Sequence, residues 1–230
     1  MKTLGMIGGL GPESTVDYYK LIIAEYRERK QDGSYPPIVI NSIDLNKARD
    51  LVTANALADL TEYLVAEVQR LARAGADFGL IAANTPHIVF DDLHRQSPIP
   101  LVSIVEATCE AAKVLGLRRL GLLGTRFTMQ GRFFSDVFAR EGITLVVPAP
   151  DEQAYVHDKY MGELVNGIFL PETRKGLLEI IGCLRKREHI EGVILGGTEL
   201  PLLLRDAASQ DIPFLDTTQI HVKAAVAQML

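Results

Sequence analysis

The chain has 230 residues, enough for one large domain or for two lobes of about 100 residues each. A hydrophobic content of 47% can supply a core, and a charged fraction of 23% is that of an ordinary globular protein. A net charge of −5 excludes the basic field that nucleic acid or an anionic membrane surface would need, so neither is an expected partner.

The first predicted strand, LGMIGG at 4–9, runs into a glycine loop and then a helix at 13–30. That helix carries Val16, Tyr19, Ile22, Ile23 and Tyr26 at helical spacing. Residues 1–11 are broken by four glycines and read as a strand rather than a signal peptide. No apolar run approaches transmembrane length, and the expected location is cytoplasmic. Pro36-Pro37 introduces a strand at 38–40. A helix at about 55–74 places Leu57, Leu60, Leu64, Val68 and Leu71 on one face, with Gly75 as its C-terminal cap. The apolar run FGLIAA at 78–83 is a buried strand that stops at Asn84-Thr85-Pro86-His87, before a short helix to about Arg95. A strand at 101–104 and a helix at 106–115, closed by Gly116, lead to a strand at 120–123. Beyond it come a helix at about 128–140, a strand at 143–147 and helices at 152–166 and 171–187. The run GVILGG at 192–197 then stops at Thr198-Glu199-Leu200-Pro201. A short strand at 213–216 and a helix at 219–230 complete the chain.

LGMIGG and the later LGLLGT each run into a turn and a helix. Gly8 to Gly124 is a shift of 116 residues, and Ala83 to Gly197 is a shift of 114. Two unrelated pairs with nearly the same shift indicate two tandem halves of one design. Strands alternating with helices make each half a parallel α/β lobe. The expected lobes are 1–104 plus about 208–230, and about 105–207. Open α/β sheets bind ligands at the carboxyl ends of their strands. The polar strand ends Asn84-Thr85 and Thr198-Glu199 therefore predict a site in a cleft between the lobes.

Several motifs compete for that site. Gly9-x-Gly11 lacks the third glycine of a dinucleotide loop, and Ser14 stands in its place. Glu13 would set a like charge against a pyrophosphate, and Asp44 is a weak ribose ligand. A small carboxylate held by the loop residues Gly9 and Leu10 fits better. His87, Asp91 and His94 fall at i, i+4 and i+7, a zinc-like spacing that helices also show by chance, and no metal is expected. Thr125 and Thr128 either donate to a carboxylate or cap a helix. Arg49 either pairs with a substrate carboxylate or is an exposed helix charge. Cys109 and Cys183 lie in helical segments, as reduced thiols.

Taken together, Gly8-Gly9-x-Gly11-Pro12-x-Ser14-Thr15, Asn84-Thr85-x-His87, Gly124-Thr125-x-x-Thr128-Met129, Thr198-Glu199 and Asp216-Thr217-Thr218-x-Ile220-His221 resemble the aspartate/glutamate racemase family. The match runs the length of the chain. The resemblance implies two Rossmann-like lobes related by a pseudo-twofold. It also implies cofactor-independent racemisation of an acidic amino acid, or binding of a related dicarboxylate. In such enzymes two bases come from opposite lobes, usually cysteines just before the Asn-Thr and Thr-Glu pairs, and some members have Thr at the first position. Here these positions are Ala83 and Gly197, expected to face each other and to leave space where thiols would stand. Gly197 would also permit a backbone with φ above zero. Glu199, His87 and Thr85 are the candidate substitutes for proton transfer. Asn84, Thr85, Thr125, Thr128, Thr198, Arg49, Gly9 and Leu10 are the candidate substrate ligands. Three readings stay open: an enzyme with weak or altered proton transfer, a silent binding protein for an acidic metabolite, and an inactivated form of a racemase. A homodimer is left open as the assembly.

Overall fold

The computed structural model describes residues 1–205 and 212–230. Short apolar runs bounded by glycine and proline form parallel strands, each followed by a helical segment. In the first sheet these are β1 (Leu4–Gly8), β2 (Ile38–Ser42), β3 (Phe78–Ile81) and β4 (Leu101–Val102), in the order β2-β1-β3-β4. In the second they are β5 (Arg119–Gly124), β6 (Thr144–Val146), β7 (Gly192–Gly196) and β8 (Phe214–Asp216), in the order β6-β5-β7-β8. The repeat extends to register. Ile7 pairs with Ile81 and Leu123 pairs with Leu195, so shifts of 116 and 114 residues carry one pair onto the other.

The first sheet is covered on both faces. Leu4, Met6, Phe78 and Leu80 pack with Tyr18, Ile22 and Tyr26 of α1 (Pro12–Lys30) and with Val222, Ala225, Val226 and Met229 of α11 (Thr217–Met229). On the other face α3 (Leu57–Arg73) packs against β1, and a Cβ at Gly5 would meet Ala76 and Leu71. In the second sheet Leu123, Val193 and Leu195 share a core with α8 (Pro150–Gly162) and α9 (Pro171–Glu188).

The chain divides into two compact units, Met1–Ile104 with His221–Leu230, and Val105–Ile220. The expected boundary at about residues 207–208 lies outside the described residues. The strand at 214–216, expected in the first lobe, instead pairs with β7 of the second sheet. Only the end of α11, from His221, belongs to the first unit. No helix among the described residues is long and apolar enough to cross a membrane.

Three segments depart from the periodicity. A helix not anticipated, α2 (Leu45–Thr53), is started by Asp44, whose Oδ1 accepts from the Asn46 N–H at 2.8 Å. Residues 126–140 form two helices, α6 (Arg126–Gln130) and α7 (Arg132–Arg140), separated by Gly131 in an extended conformation. The segment after β3 opens as a 3-10 turn, Thr85–Val89, before α4 (Phe90–Gln96).

Candidate functional site

In the first lobe, β3 ends in a buried turn holding Ala83, Asn84 and His87, with Thr85 half-buried. The tautomer of His87 follows from its partners. The Ile104 N–H, at the start of α5 (Ile104–Val114), donates to His87 Nε2 at 3.2 Å. The proton therefore sits on Nδ1, which donates to the Ala83 carbonyl at 3.0 Å. Burial, and then the neighbouring His221, hold the imidazole pKa down at about 3. The ring stacks on Phe90, with centroids 5.0 Å apart. Both nitrogens are committed to backbone, so the expected part of His87 in proton transfer gives way to tying β3 to the start of α5.

His221 is arranged in the same way. Its Nε2–H donates to the Val102 carbonyl at 3.0 Å, and its Nδ1 accepts from the Tyr18 hydroxyl at 2.9 Å. Burial lowers its pKa to about 4. The expected His87–Asp91–His94 face does not form, because His94 is exposed and stacks on Phe90, away from the buried ring of His87.

The glycine loop is built for close approach of backbone. Gly9 has φ +80°, and a Cβ there would lie 2.4 Å from the Ile43 carbonyl oxygen of the turn after β2. Its N–H donates to Thr15 Oγ1 at 2.8 Å, so that donor is spent inside the fold and not on a carboxylate. Leu10 is buried beside it. Asp44, the weak ribose ligand, is the cap of α2. Arg49 is exposed on that helix, 3.6 Å from Asp50.

In the second lobe, Thr125 caps α6. Its Oγ1 accepts from the Thr128 N–H at 3.3 Å and lies 3.2 Å from Thr128 Oγ1. The turn after β7 holds Gly197, Thr198 and Glu199, all buried. Thr198 Oγ1 donates to Glu199 Oε2 at 3.1 Å, and the Tyr160 hydroxyl of α8 donates to the same oxygen.

The space expected beside Gly197 is filled. A Cβ there would lie 2.4 Å from Tyr160 Cε2 and 2.9 Å from both Cζ and the hydroxyl oxygen. Gly197 does not adopt positive φ, so the phenol and not the backbone demands glycine. Tyr160 is the residue that sequence reasoning missed. It lies 39 positions before Glu199 in a helix whose periodicity marks it as core, so no local signal could have found it. The thiols lie elsewhere. Cys109 is buried in α5 with its pKa pushed up to about 11, by burial and then by Glu141, and Cys183 is exposed on α9.

The family model for Asp/Glu/Hydantoin racemase matches residues 7–225. A candidate Asp/Glu racemase of Yersinia pestis has a similar structure, with a TM-score of 0.89 and 31% identity, covering 100% of this chain and 99% of that one. PH1733 of Pyrococcus horikoshii OT3, an aspartate racemase homologue, gives 0.85 and 34% identity at the same coverage. The broad specificity amino-acid racemase RacX of Bacillus subtilis is 22% identical over 99% of this chain and 98% of its own.

Proposed function

The chain belongs to the Asp/Glu/hydantoin racemase family, and on that premise we propose that it binds a small acidic amino acid, aspartate or glutamate, at its strand-end turns and does not interconvert the enantiomers by a two-thiol route. The observation that carries this reading is the pair of matching turns. Asn84-Thr85 follows β3 and Thr198-Glu199 follows β7, the equivalent strand of each sheet. Carboxyl ends of parallel strands are where such sheets take ligands. Likeness along the full chain to an aspartate racemase homologue and to an amino-acid racemase supports an amino acid as the ligand.

Inversion at Cα requires a base on one face and an acid on the other. Ala83 presents a methyl and Gly197 a hydrogen, so neither moves a proton. Thr85 has a hydroxyl that donates a hydrogen bond but is no base at neutral pH. Glu199 keeps a carboxylate and remains the candidate for proton transfer. A silent binding protein is the second reading, favoured by the commitment of both His87 nitrogens to backbone.

Calorimetry with L- and D-aspartate and L- and D-glutamate, followed by chiral chromatography, tests the proposal. Binding is expected, with inversion absent or far below about 1 s⁻¹. Inversion at or above that rate that disappears on alkylating Cys109 and Cys183 overturns the second half of the proposal. Failure to bind any acidic amino acid overturns the first.

A further inference from the structure

Each sheet has two edges, and three of the four are blunted by brevity. β4 has two residues, and β6 and β8 have three each. β2 has five, IVINS, with no charge, no proline and no bulge in its register with β1. Short, charged or bulged edges are how a sheet refuses a further strand, and β2 uses none of these devices. The Leu4 N–H donates to the Pro37 carbonyl at 3.1 Å, and the Ile43 N–H to the Gly8 carbonyl at 2.9 Å. The odd-numbered residues of this segment therefore bond to β1. The N–H and C=O groups of Ile38, Ile40 and Ser42 point out along the edge, where no strand lies among the described residues. Helix α1 continues this edge. Its Tyr18, Ile22 and Tyr26 pack into the core under the helix, and its Arg29 donates to the Lys223 carbonyl of α11 at 3.4 Å. The flank turned away from α11 carries Val16 and Tyr19, 51% and 47% exposed, with Ile23 half-buried beside them. Ile38 packs into the core shared with α1, so Ile40, two residues on, shows the same face of the sheet, and it is 41% exposed. Charge along α1 runs from Glu13 in the first turn to Arg27 and Lys30 in the last.

We propose that β2 and this flank of α1 form an interface with a second copy of the chain, docked about a twofold axis at Ile40. The second β2 lies antiparallel to the first. Ile40 stands opposite Ile40 of the partner subunit, and Ile38 opposite Ser42 of the partner subunit, so the outward N–H and C=O groups pair. The two four-stranded sheets become one continuous sheet. The same axis sets the two α1 helices antiparallel and covers Val16, Tyr19, Ile23 and Ile40. It also brings the Glu13 end of each helix toward the Arg27 and Lys30 end of the other. An unrelated strand would satisfy the main chain alone. An inverted copy of α1 also matches apolar flank with apolar flank and acid end with basic end, which singles out a second copy as the occupant.

Sedimentation velocity of the full chain tests this, and a dimer is expected. Ile40→Lys, which sets a charge on the edge, and Tyr19→Glu, which sets one on the flank, are each expected to raise its Kd by about tenfold or more, with cooperative unfolding retained. In a Cys183→Ser background, Ile40→Cys is expected to cross-link to its counterpart on mild oxidation. Residues paired in this way across a twofold have Cα atoms about 5.5 Å apart, within disulfide range. If Ile40→Lys does not fold, Tyr19→Glu and the cross-link carry the test. A chain that stays monomeric up to about 0.1 mM, where a micromolar Kd would give mostly dimer, overturns the proposal and leaves the edge to an unrelated strand. A dimer whose Kd neither charged variant changes, or one that Ile40→Cys does not cross-link, overturns it as well.

Discussion

At Gly197 the cost of a single methyl is set by Tyr160. Gly197→Ala puts a carbon 2.4 Å from a packed ring that is pinned by its hydroxyl, and urea unfolding should show a loss of about 1–3 kcal/mol. The loss should shrink in a Tyr160→Leu background, since neighbours in contact do not add. The same clash bears on a thiol at this position, and Gly197→Cys should lower the urea midpoint less when Tyr160 is also shortened. Thr125→Ala should cost about 1 kcal/mol of stability as a lost helix cap. Asn84, Thr85, Thr198 and Glu199 were legible in the sequence because each follows an apolar run that ends abruptly. The commitments of His87 were not. Its Nε2 is taken by an N–H 17 residues away, a contact made only by the folded turn.

Among the elements, strands and long helices were legible from periodicity, and the breaks between helices were not. The apolar pattern from Phe127 to Phe138 runs through Gly131 without a fault, yet the backbone there is extended. A Cβ at 131 would meet the Phe127 carbonyl oxygen at 2.4 Å. Gly131→Ala should therefore destabilise the protein by about 1–3 kcal/mol in urea unfolding, although alanine favours helix. A neutral or stabilising result would mean that α6 and α7 can fuse. The start of α2 was hidden for a different reason. Leu45, Ala48 and Val52 do recur at helical spacing, but Asp44 read as a ligand rather than as a cap.

At the scale of the whole molecule, acid should act through the two buried imidazoles. His87 and His221 titrate at about 3 and about 4 in the folded chain, against about 6.5 when unfolded. The unfolded chain binds these protons first, so their contribution to stability is complete above about pH 6.5. It is lost as pH falls toward 4, by about 1.4 kcal/mol per pH unit for each ring. Urea unfolding between pH 7 and 5 should show this slope, and His221→Gln should remove one proton's share of it. His221 also opens the stretch of α11 whose Val222, Ala225, Val226 and Met229 complete the core of the first lobe. Removing residues 221–230 should expose residues 1–104 to limited proteolysis while 105–220 stay protected. The repeat was legible as two tandem halves. The crossing of the chain back to the first half was misplaced, because β8 looks like any other short strand until its partner β7 is known. Synthesis on the ribosome meets that crossing in reverse. The half that is made first cannot close until residues 221–230 exist, by which time the whole of the second half has been made. The usual amino-first order of domain folding should therefore be inverted. Pulse proteolysis of stalled nascent chains should find 105–220 resistant while 1–104 is still open, and a resistant 1–104 in a chain stalled before residue 221 would refute this order.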